Sequence, residues 1–310
     1  MGHQPHLAGG PLIYAVSAMN IYRRRSLWGF AFVLPAVIFF IVFAYYPIVS
    51  AARLSLTEYN LLSAPRYVGL TNYDYIFNSP RFHKILVNTF VFVGGSAIPT
   101  WIIALSLALI FTQNFRGLGI YRTLYFVPIV LSETVISIVW RLLYHPQGAI
   151  NALVAPFNGG YRIPWLSDPS VAPLAIIIVA IWRVFGYYMI IFITGLQNIP
   201  EEYYDAAKVD GGNRWQVFRH ITLPLLRPTT LFVVVITLLS GFQTFVYQFL
   251  ITYRGGPNDA TNVLAYLIYE EAFVNLNMGR AAAISMVLFA MLIVLTFVQL
   301  RLLRQRGDIY

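Results

Sequence analysis

Two charged side chains, Glu133 and Arg183, lie within long apolar stretches of this 310-residue chain. A charge at the centre of a bilayer costs about 2.5 to 3.5 kcal/mol on insertion scales, so each needs either a partner or water. Glu133 is expected midway along the third apolar stretch and Arg183 near the middle of the fourth, so their depths allow a salt bridge. A structural ion pair is the favoured interpretation. A role in a transport pathway and the absence of a defined partner stay open.

A polar stripe is predicted on the fifth apolar stretch, where side chains able to hydrogen-bond recur at intervals of three and four residues. Its members are Ser240, Gln243, Thr244, Tyr247 and, less well aligned, Gln248. This spacing places them on one face of a helix. Hydrogen bonds and aromatic faces bind sugars, although Ser, Thr and Gln also bond membrane helices to one another. The size of Tyr247 and Gln243 favours a solute pathway over a close helix contact.

A second polar stripe, on the fourth apolar stretch, is a weaker candidate for the pathway. It consists of Arg183, Tyr187 and Thr194, and Tyr188 is open to this face or to the membrane. The tryptophans Trp101, Trp140 and Trp182 are predicted to serve packing or the membrane interface. The histidines His83, His145 and His220 are isolated, lack metal-ligand spacing and are predicted at the surface.

Several kinds of chemistry have no support in the sequence. There is no Ser-His-Asp, paired-carboxylate or zinc signature, and no Gly-x-x-x-x-Gly-Lys-Ser/Thr loop that could cradle a nucleotide. Cysteine is absent, which removes disulfides and thiolate ligands. The net charge of +9 comes from basic residues at the ends of apolar stretches, which does not suit nucleic-acid binding. The chain is therefore predicted to be no enzyme and to hold no cofactor or metal itself.

Six apolar stretches are each long enough to cross a bilayer as a helix, for which about 20 residues suffice. The composition agrees, because 58% of residues are hydrophobic, only 11% are charged, and the mean hydropathy is +0.67. The predicted spans are about 26–52, 85–111, 118–144, 171–197, 229–252 and 281–300. Backbone amides in hydrocarbon must bond within their own segment. The predicted fold is therefore all-α, a polytopic membrane protein with six transmembrane helices.

The distribution of Lys and Arg predicts that both termini are cytoplasmic. Twelve basic residues would then lie inside: Arg23, Arg24, Arg25, Arg116, Arg122, Lys208, Arg214, Arg219, Arg227, Arg301, Arg304 and Arg306. Eight would lie outside: Arg53, Arg66, Arg81, Lys84, Arg141, Arg162, Arg254 and Arg280. The predicted domains are a cytoplasmic tail 1–25, one membrane domain 26–303, and a cytoplasmic tail 304–310. No cleaved signal peptide is expected, and whether residues before Met19 belong to the mature chain stays open.

The predicted cytoplasmic connection at residues 198–228 is too long for a turn, and local sequence signals predict two short helices within it. Asn198 and Pro200 suit the start of the first helix, whose first turn contains Glu201 and Glu202. Gly211 and Gly212 are expected to end it, Asn213 to cap the second helix, and Pro224 to close that one. Tyr204, Ala207 and Lys208 are expected on one accessible side. A lipid surface and a protein partner both suit such a helix.

The spacing within this 198–228 loop resembles the EAA loop of ATP-binding-cassette importer permeases. The matching residues are Asp205, Ala206, Ala207, Gly211, Ile221, Leu223 and Pro224. In that family the loop forms a coupling helix that docks in a cleft of the ATPase. The resemblance implies that Glu201, Tyr204 and Asp210 also belong to the coupling surface. Two departures are visible, since Asp205 stands where Glu is usual and Gly212 where Ala is usual.

Four further motifs resemble the first permease of maltose-, glycerol-3-phosphate- and multiple-sugar-type importers, and with them the resemblance covers nearly the whole chain. They are Val68-Gly69-Leu70-Thr71-Asn72-Tyr73, Gly148-Ala149-Ile150-Asn151, Gly255-Gly256-Pro257 with Thr261, and Glu271-Ala272-Phe273 with Met278-Gly279. The chain is thus similar to carbohydrate-uptake permeases of the bacterial or archaeal inner membrane.

The resemblance implies a multi-pass subunit that forms half of a pathway for a sugar, oligosaccharide or glycerol-3-phosphate-like solute. Its implied partners are a second homologous permease, two cytoplasmic ATPases that bind ATP and Mg²⁺, and an extracytoplasmic solute-binding protein. The alternative function is an ion-coupled secondary transporter with Glu133 as the coupling carboxylate. Such a carrier is expected to show inverted repeats and broken helices in both halves, and neither is evident in the sequence. A membrane sensor would not need a loop matched to an ATPase.

Overall fold

The computed structural model of the chain describes residues 28–113 and 116–304, with side chains described up to Arg301. These residues divide into two compact units that separate after Arg53. Nearly all of the described part of the first unit is helix α1, Trp28–Leu54, which contains a π-helical turn at Ile41–Tyr45. The predicted tails and the question of a start before Met19 concern residues that lie almost wholly outside the described range.

The second unit is mostly helical, with one short hairpin. Its elements are β1 (Thr57–Glu58), β2 (Arg66–Tyr67), α2 (Thr71–Asn78), α3 (Pro80–Phe111), α4 (Leu118–Val130), α5 (Glu133–Leu143), α6 (Ala149–Val154), α7 (Ala172–Gln197), α8 (Glu201–Val209), α9 (Arg214–Val217), α10 (Leu223–Leu225), α11 (Arg227–Gln243), α12 (Val246–Leu250), α13 (Leu264–Tyr269) and α14 (Met278–Arg304). The strands pair antiparallel, with Thr57 opposite Tyr67. Single helical turns at Phe218–Thr222 and Glu270–Val274 are π-helical.

Five helices of the described residues are long and apolar enough to cross a membrane. They are Trp28–Leu54, Pro80–Phe111, Ala172–Gln197, Arg227–Leu250 (α11 with α12) and Met278–Arg301. Each coincides with a predicted span. The sixth prediction, 118–144, corresponds to α4 and α5 together, and counts as a span only if this bent pair crosses the membrane as one.

The prediction of a single helix over 118–144 is wrong. Helices α4 and α5 meet at an angle of 98°, because Leu131 and Ser132 adopt extended backbone conformations between them. Pro128 lacks the N–H needed for a helical hydrogen bond, and the Ser132 hydroxyl caps the new helix by accepting from Val135 N–H at 3.3 Å. Glu133 is consequently the first residue of α5 and does not lie in mid-helix.

Helices α3 and α7 form the centre of the second unit, and small residues let the helices around them approach closely. Ala104 and Ala108 of α3 are fully buried in the cluster that also contains Met189 and Phe192 of α7. Membrane helices associate chiefly through such close contacts, because lipid gives little hydrophobic drive between them. Where α4 crosses α7, a β-carbon at Gly186 would overlap the backbone carbonyl of Tyr125.

We expect Gly186→Ala to lower the free energy of unfolding by about 1–3 kcal/mol, the usual cost of overpacking, because a backbone carbonyl cannot move aside as a side chain can. Gly94→Ala is the matched control, since Gly94 is also helical and has no atom within 4 Å of its added β-carbon. The measurement is thermal unfolding of both purified variants in the same detergent. Equal melting temperatures would contradict the tight α4–α7 crossing.

The motifs that gave the family resemblance lie at contacts between elements. Asn72 Nδ2 donates to the carbonyls of Ser55 at 2.9 Å and Thr57 at 2.8 Å. A β-carbon at Gly279 would overlap the same Thr57 carbonyl, so Asn72 and Gly279 meet at one place in the fold. Asn151 Oδ1 likewise accepts from the Ile163 backbone N–H at 3.0 Å and from a nearby indole. These residues thus fix loops to helices.

Candidate functional site

The two predicted intramembrane charges form an ion pair. Arg183 Nη1 of α7 donates to Glu133 Oε1 at 2.8 Å, and the Thr244 hydroxyl donates to Glu133 Oε2 at 3.4 Å. The side chains of Arg183 and Glu133 are 17% and 29% exposed. Glu133 also lies at the N-terminus of α5, where the helix dipole favours negative charge. The prediction of pairing is confirmed, and the pair joins α5, α7 and the end of α11.

A cleft with a cavity volume of about 70 Å³ lies against this ion pair, and we call it the ion-pair cleft. Its lining residues are Phe92, Ser96, Thr100, Glu133, Ala180, Arg183, Val184, Tyr188, Thr237, Ser240, Gly241, Thr244 and Tyr247. Most are polar but uncharged, and the two charged members are paired with each other. The cleft is lined by hydroxyl groups, an ion pair without net charge and aromatic rings.

The prediction of one continuous polar stripe on the fifth span is wrong. The span breaks at Thr244 and Phe245, where the backbone leaves the helical region, so positions before and after the break share no helical face. Ser240, Thr244 and Tyr247 still reach the ion-pair cleft. Gln243 is exposed and does not line it, and Gln248 is fully buried beside a separate small cavity.

The second stripe is not brought together either. Thr194 lies in a different hollow, which Thr229 also lines, and Tyr187 is half-buried against the ring of Tyr188. Tyr188 is only 4% exposed and lines the ion-pair cleft, so its suggested membrane-facing position is wrong. His83, His145 and His220 are exposed, as predicted.

Sequence reasoning missed three polar residues of the ion-pair cleft: Ser96, Thr100 and Thr237. Two of them had a readable signal, since Ser96 and Thr100 are spaced four apart on the second span and face one side of a helix. Thr237 lies one turn before Ser240 and extends the polar side of α11 toward its start. Both signals require knowing which helix faces meet, which the sequence alone does not give.

The 198–228 loop forms α8 and then a second helical path from α9 through the Phe218–Thr222 turn to α10, which agrees with the prediction except at its start and at Pro224. Asn198 ends α7, and Pro200 occupies the N-cap of α8 without a side-chain hydrogen bond. At the other end Gly211 adopts a left-handed φ of +74°, which favours glycine. Asn213 caps α9 in a capping box, exchanging hydrogen bonds of 2.9 and 2.8 Å with Gln216. Pro224 lies inside α10 and does not end the helical path.

The accessible side of α8 differs from the prediction. The Tyr204 hydroxyl lies 3.3 Å from the Thr222 hydroxyl and Ala207 is half-buried, so both face the rest of the loop. Asp205 is exposed and pairs with Lys208 at 2.8 Å, which raises the pKa of the lysine ammonium. Val209, at the end of the helix, is 88% exposed. An apolar side chain this open, beside a charged pair, leaves a surface that no other described residue of the chain covers.

The remaining coupling-loop candidates are spread over both short helices. Glu201, Ala206, Asp210, Gly211 and Leu223 are exposed, while Ile221 and Pro224 are half-buried. The exposed members lie on α8, on the turn after it and on the three-residue helix α10. The predicted coupling residues therefore do not all share one surface.

A second charged cluster ties the segment between α12 and α14 to the start of α3. Arg81 binds Asp259 through Nε at 2.8 Å and Glu270 through Nη2 at 2.8 Å. Lys84 Nζ and Asn88 Nδ2 donate to backbone carbonyls of Asn258 and Asp259 at 2.5 and 2.7 Å. The Arg81 guanidinium holds the pKa of the Asp259 carboxyl below its ordinary value. These charges are satisfied within the fold, which assigns the cluster a structural role.

Among residues 28–113 and 116–304, no group of three or more His, Asp or Glu side chains is placed to hold a metal ion. The ion-pair cleft contains one acid and one base, and these neutralise each other. It does not assemble the base, nucleophile and electrophile that a reaction requires.

Residues 69–306 match the family model described as binding-protein-dependent transport system inner membrane component. Similar proteins include the probable ABC transporter permease protein YesP of Bacillus subtilis, 35% identical, covering 92% of this chain and 93% of that protein. The lactose transport system permease protein LacF of Rhizobium radiobacter is 34% identical over 94% of this chain and 98% of its own. The sn-glycerol-3-phosphate transport system permease protein UgpA of Agrobacterium fabrum is 32% identical over 93% and 98%.

One solved structure has the same fold. It is a chain from the crystal structure of a bacterial ABC transporter involved in the import of the acidic polysaccharide alginate, with a TM-score of 0.81 at 21% identity. The match covers 94% of this chain and 100% of the alginate transporter chain. A chain of the MetNI methionine ABC transporter, with a TM-score of 0.52, is a more distant likeness.

Proposed function

Since the chain belongs to the family of binding-protein-dependent transport system inner membrane components, we propose that it lines half of the translocation pathway of a carbohydrate importer. The observation that carries the proposal is the ion-pair cleft, which is bordered by polar side chains from four segments that the family fold brings together. Hydroxyl, guanidinium and aromatic groups are the side chains that bind sugars through hydrogen bonds and ring contacts.

The substrate class rests on relatives and on this chemistry. Similar permeases are named for lactose and for sn-glycerol-3-phosphate, a neutral sugar and an anion. A polyhydroxylated solute is common to both names and agrees with the hydroxyl-rich cleft. Glu133, Arg183, Ser240, Thr244 and Tyr247 are the pathway residues we retain, and Gln243, Gln248 and Tyr187 are less favoured because they lie outside the cleft.

The proposed topology has six spans, with α4 and α5 forming one bent crossing and both termini in the cytoplasm. The positive-inside distribution of Lys and Arg supports this orientation. The chain would then be one membrane domain, residues 26–303, flanked by tails 1–25 and 304–310, in a bacterial or archaeal inner membrane. The 198–228 loop would face the cytoplasm.

We assign the 198–228 loop to the coupling of transport with ATP hydrolysis. The proposed partners are two ATPase subunits, which bind ATP and Mg²⁺, a second homologous permease and an extracytoplasmic solute-binding protein. Support comes from the EAA-like spacing from Asp205 to Pro224 and from the exposed charged and apolar surface of α8. Movement of the ATPases would reach the membrane through the short, capped helices.

The ion pair does not support the alternative function, an ion-coupled secondary transporter. A coupling carboxylate must take up and release a cation, whereas Glu133 is already bound to Arg183 and Thr244. Binding a proton there would leave the Arg183 guanidinium, whose side chain is 17% exposed, without its counter-charge. The breaks at Ser132 and Thr244 serve to position this pair.

The test is uptake in proteoliposomes that contain this chain, its partner permease, the ATPase and the binding protein encoded beside it. We expect radiolabelled lactose or a related oligosaccharide to accumulate only when ATP is enclosed with the ATPase and this chain is present. An imposed proton or sodium gradient without ATP should have no effect. Uptake driven by the gradient alone would overturn the proposal in favour of the ion-coupled carrier.

A further inference from the structure

The charges around the ion-pair cleft add to zero. Among its lining residues only Glu133 and Arg183 are charged at neutral pH, and their side-chain atoms approach to 2.8 Å. A charged solute near one of them lies almost as near the other. Attraction to the guanidinium is then offset by repulsion from the carboxylate, or the reverse, because Coulomb energy falls only as the inverse of distance.

Hydroxyl-bearing residues, among them Ser240, Thr244 and Tyr247, nevertheless line the cleft. Within the described residues, Thr100 Oγ1 and Arg183 Nε are buried and have no hydrogen-bond partner. Thr100 is 0% exposed as a residue, so its hydroxyl meets no bulk solvent. A buried polar atom without a partner is unfavourable, and a molecule that supplies hydroxyl groups relieves this cost. Both atoms belong to residues that line the cleft, and neither has more than 1 Å² of accessible surface.

We infer that the pathway bordered by this chain takes uncharged polyhydroxylated solutes, and not sugar phosphates or uronic acids; the inference rests on the proposed function. Glu133 sets this selectivity by neutralising Arg183. An unpaired arginine here would attract an anionic solute strongly, because opposite charges attract more strongly in a site of low dielectric constant than in water. The paired arginine keeps donors for hydroxyl groups without offering net positive charge.

The absence of cysteine from the sequence permits a direct measurement of the potential in the cleft. Ser240 is exposed and lines the cleft, so Ser240→Cys gives the assembled importer one reporter thiol in this chain when its partners are made cysteine-free. The probes are an anionic and a cationic methanethiosulfonate, each rate divided by its rate with a free thiol in solution. Leu62→Cys, at an 85% exposed position, is the control for full access.

We expect the anionic and cationic probes to react with Ser240→Cys at normalised rates within about threefold of each other, because a unit charge meets little net field there. Adding Glu133→Gln should favour the anionic probe by about tenfold or more, since Arg183 is then uncompensated. Replacing both Glu133 and Arg183 by Gln should restore the balance, which separates charge from misfolding. A tenfold preference for the anionic probe without any second change would overturn the inference, as would failure of both probes to react.

Uptake supplies the second arm and separates this inference from the proposed function. In the reconstituted importer, lactose is compared with lactobionate, which retains the galactose ring and adds a carboxylate. Preferred uptake of lactose supports the inference, and preferred ATP-driven uptake of lactobionate overturns it while leaving the importer function intact. Absence of ATP-driven uptake of either probe counts against the proposed function, and the thiol rates still decide the charge of the cleft.

Discussion

Replacement of Glu133 by Leu is expected to lower the free energy of unfolding by about 3 kcal/mol, the lower end of the range for removing one partner of a buried ion pair, because this pair is only half-buried. The Arg183 side chain is only 17% exposed, and its Nε has no partner in the described part of the chain. Without Glu133 its positive charge would stay buried. Full hydration of the Arg183 guanidinium would require α7 to separate from the helices packed against it.

The reverse change, Arg183→Leu, should be milder and lower the free energy of unfolding by about 1–2 kcal/mol. The remaining carboxylate lies at the first residue of α5, where the helix dipole and the unpaired backbone N–H groups favour negative charge. Thr244 also stays within 3.4 Å as a donor. Arg183 has no comparable support, because it lies within α7 and far from both helix ends.

The double variant Glu133→Leu/Arg183→Leu completes the cycle and should be nearly as stable as the natural chain, because both buried charges are gone. Equilibrium unfolding in mixed micelles with rising sodium dodecyl sulfate gives all four stabilities. A double variant whose loss of stability equals the sum of the two single losses would show that the two side chains do not stabilise each other. Natural stability in Arg183→Leu together with lost uptake would assign the pair to the pathway alone.

The sequence was sufficient to predict where the long helices lie and that the two intramembrane charges could meet. Apolar stretches of about 20 residues and the depth of each charge carry that information directly. The two breaks were harder. A helix-start signal was present at Ser132 and Glu133, a capping residue followed by an acid in the first turn, but it lay inside an apolar run.

The break at Thr244 and Phe245 has no such signal, because neither residue is Pro or Gly. Phe245 takes a φ of −146° and packs its ring near Tyr266 and Tyr269, contacts that involve residues 21 and 24 positions away in the sequence. Tertiary packing therefore decides where this span bends. That is why the polar stripe was wrong as a helical face even though three of its members reach the ion-pair cleft.

The 198–228 loop carries the second large expected effect. We expect Val209→Glu to weaken retention of the ATPase by about 30-fold or more, since a central interface residue typically contributes about 2 kcal/mol or more. Val209 is 88% exposed at the end of α8, next to the exposed pair of Asp205 and Lys208. An acid there would put an unpaired charge into any cleft that receives the apolar side chain.

Two further variants test the same surface by different means. Asp205→Arg reverses one charge and breaks the pair with Lys208, leaving the helix intact. Gly211→Val strains the turn after α8, because Gly211 has a φ of +74° that β-branched residues avoid. Both should release the ATPase from the co-expressed, affinity-purified importer. Leu62→Glu is the matched control, an 85% exposed apolar residue in the segment predicted to lie outside.

The pull-down distinguishes a protein partner from a lipid surface, the two occupants that an exposed amphipathic helix suits. If α8 rests on lipid headgroups, changing Val209, Asp205 or Gly211 should not release the ATPase. Retention of the ATPase by all three variants would therefore contradict coupling. If α8 instead seats in an ATPase cleft, the apolar, charge-reversed and backbone variants should fail together while Leu62→Glu does not. Their agreement would exclude loss of a single contact, because the three changes share only the geometry of this one short helix and its turn.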